Sequence, residues 1–423
     1  MWNRRDLMMA AGGLGLSFML PKLSPKAADK RGKERPKSLI VMYMAGGPSQ
    51  LETFDPHPGS KIGGLAKAIP TKNADLKICD LYPRTAEQIH HLSVIRSMIS
   101  KEGDHERGTY LLKTGYRPDP TLKHPSLGAI AAHELPNKDI DIPMHVTLGG
   151  GPFPARGGFL GDEFDAFKIF NPGNNIQNME SRVSKDRQDR RLENLSVVSR
   201  VFRKGRRLQT ENTLHELTIE RALAMMSSDQ LAAFKIEGES DTIKKESEAT
   251  KKAYGDSRFG RGCLVARRLI EEGVRAVEVV LPGWDSHANN HEGHITQANI
   301  LDSAFAALIK DLADRDLLES TVVLWIGEFG RTPKINALDG RDHWPTGFSC
   351  VVGGGGIKGG LVIGETDPTG KEKDPKDPIE VHDLYSTVLH MLGVDYELEV
   401  NTPIGRPMAY SQGQPIERLL AKS

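Results

Sequence analysis

Short apolar runs punctuate the chain at Leu39–Ala45, Ser93–Met98, Met144–Leu148, Ala276–Leu281, Thr321–Ile326, Cys350–Val352 and Leu361–Ile363. Runs of strand length without polar alternation predict strands covered on both faces, as buried parallel strands are. Helical patterns lie between them. Ile300, Leu301, Ala304, Phe305, Leu308, Ile309 and Leu312 recur at three- and four-residue spacing, one apolar stripe of a helix. Leu264, Val265, Leu269 and Ile270 predict another, stopped by Gly273 ahead of the run at Ala276. Strand and helix alternating in this way predict an α/β fold with a mainly parallel sheet flanked by helices. Residues 177–254 break the rhythm: they are strongly charged and carry Leu192, Leu195, Val198 and Val201, then Leu214, Leu217, Ile219 and Ala222. That stretch reads as a helical insertion packed on the sheet domain.

Charge refines this picture. The 423 residues hold 56 basic and 56 acidic side chains, so no chain-wide field concentrates nucleic acid or anionic lipid, and neither is a default partner. Three cysteines, Cys79, Cys263 and Cys350, cannot form a fully paired disulfide framework. Residues 1–28 differ from the rest. Arg4-Arg5 precede a glycine-interrupted apolar run, Leu7 to Leu20, with Ala27-Ala28 beyond it. This suits a twin-arginine export signal and a periplasmic or extracellular destination. A membrane-spanning helix needs about 20 apolar residues, and no other stretch approaches that, so no transmembrane segment is expected in the mature protein.

In open parallel sheets ligands collect beyond the carboxyl ends of strands. Three predicted strands end in polar clusters. Gly46-Gly47-Pro48-Ser49 leads to Glu52 and Asp55; it reads as an oxyanion or metal site, or as a tight turn with a Ser49–Glu52 helix cap. Asp285, His287, His291 and His294 crowd the segment after Ala276–Leu281, a ligand set suited to zinc or another first-row divalent cation. After Thr321–Ile326 come Glu328, Arg331 and, further on, Asp342-His343-Trp344. Arg331 offers a fork of donors for a phosphate, sulfate or carboxylate, and Asp342-His343 supplies a pair of metal ligands, or Asp342 orients an imidazole from behind. Alternatively these form a salt bridge around a buried tryptophan. A fourth segment, Asp104-His105-Glu106, is expected to open a helix, with His105 as base, nucleophile, ligand or cap.

The ordered motifs Gly-Gly-Pro-Ser-Gln-Leu-Glu-Thr-Phe-Asp-Pro from Gly46, Leu-Val-Ala-Arg-Arg-Leu-Ile-Glu-Glu-Gly-Val from Leu264, Gly-Trp-Asp-Ser-His from Gly283, Gly-Glu-Phe-Gly-Arg-Thr-Pro from Gly327 and Gly-Arg-Asp-His-Trp-Pro from Gly340 resemble the family named domain of unknown function 1501. The resemblance runs from about residue 36 to 415. It implies the alkaline phosphatase and sulfatase superfamily: a three-layer α/β sandwich with a metal site at strand ends. Asp285, His287 and His343 then correspond to ligands of one divalent ion (zinc, calcium, magnesium or manganese). Glu328 stands where a second-metal pair usually lies, with Phe329 in place of a histidine. The aspartate that ends the first strand in that superfamily is replaced by Ala45-Gly46-Gly47. Leu112-Lys113-Thr114-Gly115 matches a sulfatase motif, but His105 stands where the cysteine converted to formylglycine would be. The implied activity is hydrolysis of a phosphate or sulfate ester on a polysaccharide or lipid, without formylglycine. Ser49 and Arg331 would face the anionic group, and His105 would be acid/base or nucleophile. The alternatives are a non-catalytic envelope protein binding glycan or a protein partner, and an isomerase or transferase.

Overall fold

The computed structural model describes residues 38–151, 153–204 and 214–421. By its contacts the chain divides into two units, Met1–Glu34 and Arg35–Ser423. The first, which carries Arg4-Arg5 and the expected export signal, lies outside the described residues.

The second unit is built on a nine-stranded sheet. Its strands are β1 (Ser38–Ala45), β2 (Leu92–Ile99), β3 (His145–Leu148), β4 (Phe167–Ile169), β5 (Ala276–Pro282), β6 (Thr321–Ile326), β7 (Phe348–Gly354), β8 (Val362–Ile363) and β9 (Ile379–Glu380). The spatial order is β8-β2-β7-β6-β1-β5-β3-β4, with β9 also on β2. β1 pairs in parallel with both β5 and β6, Ala45 opposite Pro282 and Tyr43 opposite Ile326, so three strands end at one level. Only β7 runs against the others, antiparallel to β2 and to β6. The reason is its connection. No helix lies between Ile326 and Phe348 to carry the chain back across a face, so it returns in the opposite direction.

Helices cover both faces. The longer helices among the described residues are α1 (His105–Thr114), α2 (Leu127–Glu134), α3 (Lys185–Arg203), α4 (His215–Ser227), α5 (Arg258–Glu271), α6 (Asn290–Asp314) and α7 (Val381–Leu392), and all but α3 bury residues. Alternate residues of the strands feed two separate cores. Ile40, Met42, Met44, Val279 and Trp325 pack with Leu264, Leu269, Leu301 and Phe305 of α5 and α6. Leu39, Tyr43, Val280, Leu324 and Ile326 pack with Leu111, Ile130 and Val388 of α1, α2 and α7. The result is helix, sheet, helix: a three-layer sandwich. Cys79, Cys263 and Cys350 are buried and unpaired.

Two local expectations change. Residues Gln50–Phe54 form turns, and the Ser49 hydroxyl accepts from Leu51 N (3.3 Å), so the Ser49–Glu52 helix cap does not form. Glu52 is instead drawn to the buried Arg341 guanidinium (2.9 Å). Within 177–254, α4 buries Met225, but α3 buries no residue at all. Of its apolar positions expected to pack on the sheet, Leu192 is half-buried and Leu195, Val198 and Val201 are exposed. Among the described residues, no helix is long and apolar enough to cross a membrane.

Candidate metal centre

The level ends of β1, β5 and β6 bring three loops together. Gly46, at φ +117°, makes this approach feasible: a Cβ there would lie 2.5 Å from Asp285 N. Such a backbone conformation and such contact admit glycine alone. Asp285 leaves β5 beside it, half exposed, above the fully buried Trp284.

Arg331 is also fully buried, in a two-residue ladder that sets it opposite His343. Its guanidinium donates to the carbonyls of Gly46, Gly47 and Arg341 and, at 2.7 Å, to Asp285 Oδ1. Burial works against the Asp285 charge, yet Arg331, with His105 and His343 nearby, holds its pKa at about 2. Arg331 is thus committed to the loops and to Asp285, and has little left for an external anion.

Three imidazoles surround Asp285. His105 is the first residue of α1, where Asp104 caps the helix by accepting from Glu106 N and Arg107 N. His105 Nδ1 lies 2.8 Å from Glu328 Oε1. His287 Nδ1 lies 2.9 Å from Asp342 Oδ1, and His343 Nδ1 lies 2.8 Å from the Gly103 carbonyl. All three partners accept, so they assign the proton to Nδ1 and turn Nε2 inward. His105 Nε2 comes to 3.2 Å from Asp285 Oδ2. His287 Nε2 and His343 Nε2 stand 3.2 and 3.3 Å from Asp285 Oδ1 and 3.0 Å from each other. His105, Asp285 and His343 offer ligand atoms that all lie within 4.8 Å of one another.

The surroundings set the charge states apart. Burial pushes the His343 pKa down, and Arg331 and His105 add to this, favouring the neutral ring. The hydrogen bond to Glu328 pushes His105 up against the opposing effect of burial.

Of the residues expected at the site, His105, Asp285, His287 and His343 converge. Glu328 and Asp342 stand behind the imidazoles. Both Glu328 oxygens are filled, Oε1 by Gly46 N and His105, Oε2 by the Tyr43 hydroxyl at 3.0 Å. Ser49 is buried, its amide donating to His294 Nε2 (2.9 Å), so it is part of the support of the loop. His294 in turn donates from Nδ1 to the Asn290 carbonyl (2.7 Å) and belongs to the interior. Three contributors went unnoticed in the sequence: the Gly103 carbonyl, Tyr43, and Asn336, whose amide donates to the His287 carbonyl at 3.0 Å. A backbone acceptor leaves no residue signature, and a tyrosine inside an apolar run reads as core.

An α/β sandwich with a histidine–carboxylate cluster at its strand ends is the class that fold and site define. The chain belongs to the family described as protein of unknown function (DUF1501), whose model matches residues 36–420. A comparison with curated proteins finds no match. Among solved structures, the chain is similar to the PsFucS1 sulfatase from Pseudoalteromonas sp., with 14% identity over 92% of this chain and 72% of that one, at a TM-score of 0.40. A protein in the alkaline phosphatase superfamily from Vibrio parahaemolyticus shows 13% identity over 92% and 71%, at 0.36. The lipoteichoic acid synthase LtaP from Listeria monocytogenes shows 9% over 89% and 74%, at 0.38. Likeness at this level adds nothing to the topology described above.

Proposed function

We propose that this protein is an exported, metal-dependent hydrolase of phosphate or sulfate esters. The observation that carries the reading is the inward convergence of three Nε2 atoms on Asp285. Each Nδ1 already has an acceptor, so the Nε2 atoms of His287 and His343, 3.0 Å apart and both beside Asp285 Oδ1, call for a shared proton or a cation between them. Nitrogens at that distance repel unless a proton or a metal ion lies between or beside them, and a divalent ion satisfies both together with Asp285. His105 Nε2 is buried and turned to Asp285 Oδ2 at 3.2 Å, so it completes the same cluster. The donor set fits a metal ion. His105, His287, His343 and Asp285 would hold it, and three imidazoles with one carboxylate favour a first-row ion such as zinc or manganese over calcium or magnesium.

A divalent ion bound there supplies Lewis-acid polarisation of an ester oxygen and a water of lowered pKa. The protein's own residues prepare that chemistry. Arg331 keeps Asp285 ionised, Asp342 and Gly103 fix the rings of His287 and His343, and Glu328 holds a proton on His105 Nδ1. None of the cysteines serves as a formylglycine precursor in this reading. Cys79 is buried in the strand Lys77–Cys79, its thiol pushed up by burial to about 12, while Cys263 and Cys350 lie within α5 and β7. Arg4-Arg5 and the apolar run after them support export of the folded protein.

Metal analysis of purified protein, paired with an aryl phosphate and sulfate panel, tests the reading. One bound ion per chain is expected, lost in His343→Ala and Asp285→Ala, with hydrolysis that follows metal content. Unchanged metal stoichiometry in both variants rejects the site. Metal binding without turnover of any ester rejects the hydrolase and leaves a binding protein.

A further inference from the structure

Helix α3 has 19 residues and not one of them is buried. Leu195, Val197, Val198 and Val201 are 37%, 51%, 64% and 68% exposed. Most helical stability in proteins comes from packing an apolar face, which α3 lacks, and its valines lower its intrinsic propensity. Clustered apolar residues on a soluble surface mark an interaction site.

The charge on α3 says what kind. Residues 185–204 carry seven basic and three acidic side chains, in a chain whose totals balance at 56 each. Arg187, Arg191, Leu195 and Val198 follow one another at spacings of four, four and three, so two guanidinium groups and the apolar residues share one stripe. Arg200 and Arg203 stand at the far end. Among the described residues, only Arg203 of these has an ion pair, with Glu216 at 3.1 Å. The other three arginines are uncompensated.

We propose that α3 docks flat on an anionic lipid surface, its valines entering the headgroup–acyl boundary and its arginines meeting lipid phosphates. A cluster of basic residues beside exposed apolar ones supplies both attractions of such docking, arginine for lipid phosphate and valine for the layer beneath it. A second copy of the chain would bring the same positive helix against it. Single-stranded nucleic acid is held by successive aromatic side chains, and α3 carries one, Phe202. The inference is independent of the metal centre.

The test uses the compact unit Arg35–Ser423, which has its own two cores, so that the apolar run near the amino terminus does not contribute. Co-sedimentation is measured with vesicles of phosphatidylglycerol and phosphatidylcholine, and with phosphatidylcholine alone. Binding is expected only with the anionic vesicles, weakening as salt rises. Val198→Asp with Val201→Asp, and separately Arg187→Ala with Arg191→Ala, should each lower apparent affinity about tenfold or more. These positions are exposed, so circular dichroism and melting temperature should match the parent. Equal binding by parent and both variants overturns the proposal, as does equal binding to neutral vesicles. Retention on soluble dextran sulfate without vesicle binding points to a polyanion partner and also overturns it. A dimer in solution that dissociates in the valine variant assigns the face to a second copy and has the same consequence.

Discussion

Tyr43 illustrates how one interior residue reaches the centre. Its ring belongs to the core, under the Lys113 ammonium at 4.6 Å, while its hydroxyl joins Thr109 Oγ1 (2.7 Å) on α1 to Glu328 Oε2 (3.0 Å) beyond β6. Glu328 holds His105, so Tyr43→Phe should loosen that imidazole while leaving the packing intact. Groups behind metal ligands typically change affinity by roughly 10–100-fold. One step further out, we expect about a tenfold loss in a chelator competition, with the metal-free protein destabilised by about 1–3 kcal/mol because Glu328 Oε2 loses its donor. A second residue-scale effect concerns acid. His145 and His294 are wholly buried, and burial pushes both below the ordinary histidine value of 6.5. A depressed pKa means the unfolded chain binds the proton first. Their contribution is therefore complete above about pH 6.5 and is lost as pH falls towards the folded values. Each adds a slope of up to about 1.4 kcal/mol per pH unit in that window. Denaturant midpoints measured from pH 7.5 to 5 should fall; a flat profile would show these rings are charged in the fold.

Strands carry the information that places the centre, and they were the most legible elements. The run Thr321–Ile326 coincides with β6, and Leu39–Ala45 misses β1 by one residue, because burial on both faces leaves an uninterrupted apolar string. From those ends the meeting of Asp285, His287 and His343 followed. Direction was not legible: the apolar residues of β7 look the same either way round, and only its helix-free connection decides. Nor was the partner of an amphipathic face. Leu195, Val198 and Val201 have correct helical spacing, but spacing cannot name the surface they meet. At Ser49 and Glu52 a common capping pattern yielded to a long-range attraction, Arg341, that local sequence cannot foresee. The β1–loop junction gives an element-scale prediction. Gly46→Ala would force a side chain into φ +117° and within 2.5 Å of the Asp285 amide. The backbone conformation alone costs about 1–3 kcal/mol, and the shift of Asp285 should lower metal affinity as well. A Gly46→Ala protein with parental melting temperature and affinity would show that the loops do not depend on this contact.

At the scale of the whole molecule, the proposed centre ties both cores together, because α1 belongs to one face and the loop after β5 leads into α6 on the other. Metal at a hundred times its dissociation constant should then stabilise the fold by about 2.7 kcal/mol over chelator-treated protein. Chemical denaturation in zinc or manganese against EDTA checks this, and His343→Ala should erase the difference. The position of β1 has a consequence in time. Of the strands in the nine-stranded sheet it is the first made, yet its neighbours begin at Ala276 and Thr321. At about 5–20 residues per second, β1 waits on the order of tens of seconds on the ribosome before either arrives. Contacts so distant along the chain also form slowly. His343 emerges later still. The nascent chain therefore cannot assemble the cluster before His343 has emerged, and any ion the proposed centre holds is taken up after that point.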